Sequence, residues 1–158
     1  MTIDLSVLNI IFQKKPLLIG GKAMEYYGIR KAGKDVDLVA SKEDLLQLLE
    51  KFPDKAKNLY GDFGVSVSGF EIWKTIRFMS YEELIEDAVE DDQVFVISLE
   101  KLMLQKALAM DIEKYRNDLK LIVSKYTEEL SSRRDRIFKE NEELIQSVPQ
   151  TSFIEYKQ

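Results

Sequence analysis

Leu17-Leu18-Ile19-Gly20-Gly21, followed after thirteen residues by Asp35-Val36-Asp37-Leu38-Val39, sets the architecture of the N-terminal part of this chain. An apolar run ending in two glycines predicts a buried strand that turns sharply into a helix, where free backbone N–H groups can meet a phosphate. In the second run alternate side chains share a face, so Asp35 and Asp37 project together while Val36 points away. Two close carboxylates repel each other unless a proton or a cation intervenes. A hard, oxygen-seeking ion such as Mg²⁺ answers that repulsion, and the two stretches together predict a phosphate-handling site with a metal.

Outward from this pair the pattern is a strand, helix, strand unit. Ile3 to Lys14 reads as a first helix stopped by Pro16, Leu17 to Ile19 as a short strand buried on both faces, Lys22 to Tyr27 as a short helix closed by Gly28, and Val36 to Val39 as a strand. Ser41-Lys42-Glu43-Asp44 opens another helix in capping-box style, with Leu45, Leu48, Leu49 and Phe52 on its apolar side until Pro53. Val65, Val67 and Ile72 predict one or two strands between Lys57 and Met79. Ser80-Tyr81-Glu82-Glu83 caps a short helix, Glu90-Asp91-Asp92 forms a solvated turn, and Val94 to Ile97 is a further strand. From Ser98 the period is helical, first through Leu99, Leu102, Met103 and Ala107, then through Ile112, Tyr115, Leu119, Ile122 and Tyr126. A last helix from Thr127 to about Val148 carries a stripe of Leu130, Ile137, Phe138, Leu144 and Ile145, with Arg133, Arg134, Asp135 and Arg136 solvated. The expectation is a single α/β domain over 1–158. It has a small mixed β-sheet flanked by helices (1–97), a helical C-terminal part (98–148) and a tail (149–158) without a trustworthy period.

Composition narrows the chemistry. The 158 residues suffice for one sizeable core, and 45% apolar with 32% charged residues excludes wholesale disorder. A formal charge of −5 argues against broad nucleic-acid binding, although Lys22, Arg30, Lys31 and Lys34 form a local basic cluster. With no cysteine and no histidine, disulfides, zinc sites, thiol nucleophiles and imidazole bases are excluded, which leaves carboxylates, lysines, arginines and hydroxyls. Met1 to Lys15 lacks the features of a signal segment, and no apolar run approaches the ~18 residues of a membrane span, so the expected compartment is the cytoplasm with no membrane contact. Arg30 and Lys34 flank the aspartates and suit phosphates, Arg through its fork of donors and Lys as a point charge. The plain alternative for both is a solvated loop charge.

These residues resemble the nucleotidyltransferase superfamily, whose members carry an apolar residue, Gly-Gly or Gly-Ser, a helix of this spacing, then Asp-apolar-Asp/Glu. Within it the chain resembles small members similar to the AbiEii-type toxins and the minimal nucleotidyltransferases of toxin-antitoxin pairs, through Gly20-Gly21-Lys22-Ala23, Gly28-Ile29-Arg30 and Gly33-Lys34-Asp35-Val36-Asp37-Leu38. The resemblance covers roughly residues 15 to 125 and implies transfer of a nucleoside monophosphate from an NTP to a hydroxyl acceptor: a protein side chain, a tRNA end or a small molecule. It further implies two Mg²⁺ ions held by Asp35 and Asp37, with Glu71 of Phe70-Glu71-Ile72-Trp73 as the third carboxylate. Gly20, Gly21 and Lys22 would steady the outer phosphates. Lys106, and Asp118 a dozen residues later, match a lysine and an acid of the AbiEii-like relatives.

The chain departs from that pattern at Gly33, where relatives place a hydroxyl residue. It departs again at Asn117-Asp118-Leu119-Lys120-Leu121, where they read Lys-Asp-x-x-Asp. Those departures favour a competing class: a catalytically inactive, antitoxin-like binding protein that acts through a protein partner or as a homo-oligomer, with the stripe after Leu130 as its interface. A snorkelling Lys106, a surface Asp118 and a surface Glu71, with Asp62 as the nearby alternative acid, belong to the same competing view.

Overall fold

The computed structural model describes residues 3–149, which fall into two compact units, one ending at Ile122 and the other starting at Val123. The expected tail after Pro149 lies outside the described residues. In chain order the elements are β1 (Leu17–Leu18), α1 (Gly20–Tyr26), β2 (Val36–Val39), α2 (Lys42–Lys51), β3 (Ala56–Leu59), β4 (Asp62–Val67) and β5 (Phe70–Trp73). They continue with β6 (Thr75–Ile76), β7 (Met79–Ser80), α3 (Tyr81–Ile85), β8 (Val89–Glu90), β9 (Phe95–Val96), α4 (Leu99–Ala107) and α5 (Glu113–Gln146). Seven strands form a mixed sheet in the order β3-β4-β5-β2-β1-β9-β8, and β6 with β7 makes a separate ribbon.

The protein is thus mixed α/β, with its first unit built on that sheet. β2 runs parallel to β5 and antiparallel to β1, which in turn runs parallel to β9. Leu17, Leu18, Leu38, Val39, Ile72 and Val96 are buried on these central strands. Leu48 of α2, Leu84 of α3, Leu102 of α4 and Ile122 of α5 are fully buried with them, which accounts for the apolar periods of those helices. Serines open three helices through their side chains, Ser41 accepting from Asp44 N–H, Ser80 in a full capping box with Glu83, and Ser98 accepting from Lys101 N–H.

Three expectations are corrected. The helix expected over Ile3 to Lys14 is one 3-10 turn, Leu5–Leu8, which Asp4 caps and left-handed Asn9 (φ 49°) ends. The following segment is tied instead to buried Asp44, whose carboxylate accepts from Gln13 N–H (2.6 Å), Lys14 N–H (3.1 Å) and Ser41 Oγ (2.7 Å). Between Lys57 and Met79 there are four strands and the start of a fifth, because two-residue hairpin turns at Tyr60-Gly61 and Ser68-Gly69 break the region into short antiparallel pieces. All four turn residues have positive φ, the backbone that matches strand twist and favours glycine. Finally, α5 does not break at Thr127, whose hydroxyl donates back to the Val123 carbonyl (2.8 Å) inside the helix.

In the second unit the helix carries Leu130, Ile137, Phe138, Leu144 and Ile145 exposed, and Arg136 pairs with Glu140 one turn on. Among the described residues no helix is long and apolar enough to cross a membrane.

Candidate functional site

The Gly-Gly turn and the Asp-x-Asp strand meet at one contact. Gly20 opens α1 with φ +65°, and a Cβ there would lie 2.1 Å from Asp37 Oδ2, so glycine is required both by backbone conformation and by the approach of the carboxylate. The Gly21 N–H acts on the same carboxylate by lowering its pKa. The helix start that the sequence offers to a phosphate thus lies against Asp37.

Across the sheet Asp37 stands in register with Glu71, because β2 and β5 are parallel neighbours. Burial, and next the charge of Glu71, push the Asp37 carboxyl above the usual carboxylate range, while Lys106, the Gly21 N–H and Lys114 draw it back. Glu71 Oε1 pairs with Lys57 Nζ at 2.5 Å, and that ammonium also lies over the Trp73 ring. Asp35, at the exposed threshold of β2, completes an acidic wall. Gly20, Gly21, Asp35, Asp37 and Glu71 all line a cavity of about 220 Å³. One water needs only ~10–15 Å³ on that measure, so the space is of ligand size.

The same cavity is bordered by a cationic cluster. Arg30 grips buried Asp118 with both prongs, Nε to Oδ1 at 2.6 Å and Nη2 to Oδ2 at 2.9 Å, and Lys106 Nζ reaches Oδ2 at 3.1 Å. Lys106, only 6% exposed, also sits 4.6 Å from the centroid of the Tyr115 ring. Burial pushes the Lys106 ammonium below its usual range, with Asp118 opposing. For Asp118 burial acts upward, yet hydrogen bonds from Arg30 and Lys106 outweigh it and hold the carboxyl low.

Of the residues singled out in the sequence, Gly20, Gly21, Arg30, Asp35, Asp37, Glu71 and Lys106 line this cavity. Lys22 and Lys34 do not: Lys22 pairs with Glu25 at 3.0 Å on its own helix, and Lys34 is exposed on the loop before β2. Asp62, the alternative acid, is buried beneath the β6–β7 turn and serves backbone hydrogen bonding. Sequence reading missed Gln105, Arg77 and Lys114. Gln105 is buried on α4 with its Nε2 lacking a partner, a position that an apolar helix period would assign to a hydrophobe. Nothing in the local sequence marked Arg77 or Lys114 as cavity residues.

The donor chemistry fits a hard divalent cation, since Asp35, Asp37 and Glu71 bring three carboxylates to the cavity and the negative charge of Glu71 bears on Asp37. Among the described residues no three acidic side chains already converge closely enough to hold an ion together. Lys57 occupies Oε1 of Glu71, so an ion bound by all three acids would take the other oxygen of that carboxylate. The chain matches no protein-family model, no curated protein and no solved structure.

Proposed function

We propose that the protein is a nucleotidyltransferase-like enzyme, with a fold of that type, that transfers a nucleoside monophosphate from an NTP to a hydroxyl acceptor. The observation that carries this reading is the common cavity of Gly20, Gly21, Asp35, Asp37 and Glu71, residues that the sequence joined only by motif spacing and resemblance. Asp35 and Asp37 would hold Mg²⁺, with Glu71 as the adjoining acid through the oxygen that Lys57 does not hold. When bound, the metal would supply charge neutralisation of the triphosphate and lower the pKa of the attacking hydroxyl. Gly20 lets the Asp37 carboxylate sit against the turn, and the Gly21 N–H and Lys106 hold it ionisable despite its burial. Arg30 and Lys106 act through Asp118 as a braced cationic border rather than as free phosphate ligands. Titration with each of the four NTPs, with and without Mg²⁺, tests the assignment by calorimetry. Mg²⁺-dependent binding that the Asp35→Asn/Asp37→Asn variant abolishes supports it, and absence of binding in the wild type sinks it.

A second reading, a nucleotidyltransferase-fold protein that acts by covering a partner, as in toxin-antitoxin pairs, draws on two observations. Glu71 is held by Lys57, and the apolar residues of α5 from Leu130 to Ile145 are exposed. Under that reading the double aspartate variant keeps its partner and its oligomeric state, and no NTP turns over.

A further inference from the structure

The region from β3 to β7 contains three successive two-residue hairpin turns with positive φ at both central positions: Tyr60-Gly61, Ser68-Gly69 and Arg77-Phe78. The first two obey the usual chemistry, with glycine second. The third does not. Arg77 (φ 51°) and Phe78 (φ 65°) both carry bulky side chains in a backbone region that L-residues avoid, and neither is the Asn, Asp or Gly such turns favour.

What holds this turn is remote in sequence. Asp62, 5% exposed at the start of β4, accepts from the N–H groups of both strained residues, Arg77 at 2.7 Å and Phe78 at 3.2 Å, and from Thr75 Oγ1 at 2.9 Å. A buried carboxylate is thereby given over to one unfavourable turn. Its result is positional: Arg77 lines the cavity, while Phe78 lies 79% exposed at the tip. Strain upheld by its surroundings is found where placement of a side chain matters.

The charge inventory of the cavity points the same way. Arg30 and Lys106 are tied to Asp118, and Lys57 to Glu71. Among the described residues Arg77 and Lys114 are the cavity-lining cations without an acidic partner. A guanidinium half-buried, unpaired and delivered to a cavity by a braced turn suits a phosphate chain, which it can meet with two donors at once.

We propose that Arg77 is the residue that grips the polyphosphate of the ligand, and that Asp62 is its positioning residue. The inference rests on the nucleotide reading for the identity of that ligand, but its chemistry can be tried separately with inorganic tripolyphosphate. The informative variant is Arg77→Gly, because glycine suits φ 51° and leaves the Asp62 hydrogen bond to the backbone in place. The expected result is a melting temperature equal to or above that of the wild type, with tripolyphosphate bound at least about tenfold more weakly and with a shallower salt dependence. Asp62→Asn should weaken both the fold and the binding, and a turn of merely structural value would not move the salt dependence. Tripolyphosphate bound equally by Arg77→Gly and wild type, or not bound by the wild type, overturns the inference. Arg77-dependent tripolyphosphate binding without Mg²⁺-dependent NTP binding upholds it and sinks nucleotidyl transfer. NTP binding that needs Asp35 and Asp37 but not Arg77 does the reverse.

Discussion

Two charged clusters border the same cavity and differ in their balance. Around Asp118, one buried carboxylate is met by Arg30 and Lys106, and every short-range demand of the acid is answered within the protein. Around Asp37, the acids outnumber the cations that touch them: Glu71 stands beside it in register, Asp35 lines the same space, and Lys57 answers Glu71 alone. The first cluster is complete without a ligand. The second is complete only with a proton or a cation, which is what makes it the place to look for chemistry.

That contrast can be broken most forcibly at Asp118. Asp118→Asn leaves Lys106 and Arg30 facing each other without their shared counter-charge, and stability should fall by about 3 kcal/mol, at the low end for a broken buried pair because Arg30 keeps access to water. Urea unfolding measures it. The pH dependence follows with a definite sign. The folded Asp118 carboxyl lies below its ordinary 3.8, so its contribution is present above that value and is lost as pH falls through the folded pKa; the variant should lack this part of the acid limb.

Asp37→Asn should act in the opposite direction. Its carboxyl is raised in the folded protein, so stability falls as pH climbs from the ordinary 3.8 through the folded value, and removing the charge raises the melting temperature of the free protein near neutrality. If the protein transfers nucleotides as proposed, the same variant should also forfeit stabilisation by Mg²⁺ with NTP, about 2.7 kcal/mol at a hundredfold excess over Kd. A free protein left unchanged or weakened by Asp37→Asn would mean that the acidic wall is as well balanced as the Asp118 cluster.

Gly20→Ala tests the seam between turn and carboxylate. A methyl group at φ +65°, placed 2.1 Å from Asp37 Oδ2, should destabilise by about 2 kcal/mol, and Asp37→Gly in the same chain should recover the steric part. The smallest effect is expected at Gln105. Exchange for Leu removes a buried donor without a partner and should stabilise the free protein by about 1 kcal/mol in thermal unfolding. No gain would show that the amide already finds water in the cavity.

Much of the fold was legible locally. The strand Val36–Val39 follows from a short run that is apolar except at Asp37, and the helices after Ser41, Ser80 and Ser98 follow from side chains that cap within three residues. The hairpins at Tyr60-Gly61 and Ser68-Gly69 each carry a readable signal, a glycine as the second residue of a two-residue turn between short apolar runs. The first helix was misread because apolar residues between Leu5 and Phe12 mimic a helical period, whereas left-handed Asn9 and the grip of Asp44 belong to a different backbone.

The site divides along the same line. By itself the sequence determined which residue types could act, carboxylates and cations without histidine or cysteine, and which short runs bring two aspartates, Asp37 in β2 and Asp35 just before it, to a cavity that a glycine turn also lines. Those are effects of composition and of spacing within a few residues. Only the tertiary structure decided how each charge is used. Arg30 and Asp118 are 88 residues apart, Asp37 meets Glu71 through a parallel pairing, and Asp62 braces a turn fifteen residues away. Whether an ionisable side chain is free for a ligand depends on its nearest opposite charge in space, and chain separation carries no record of that distance.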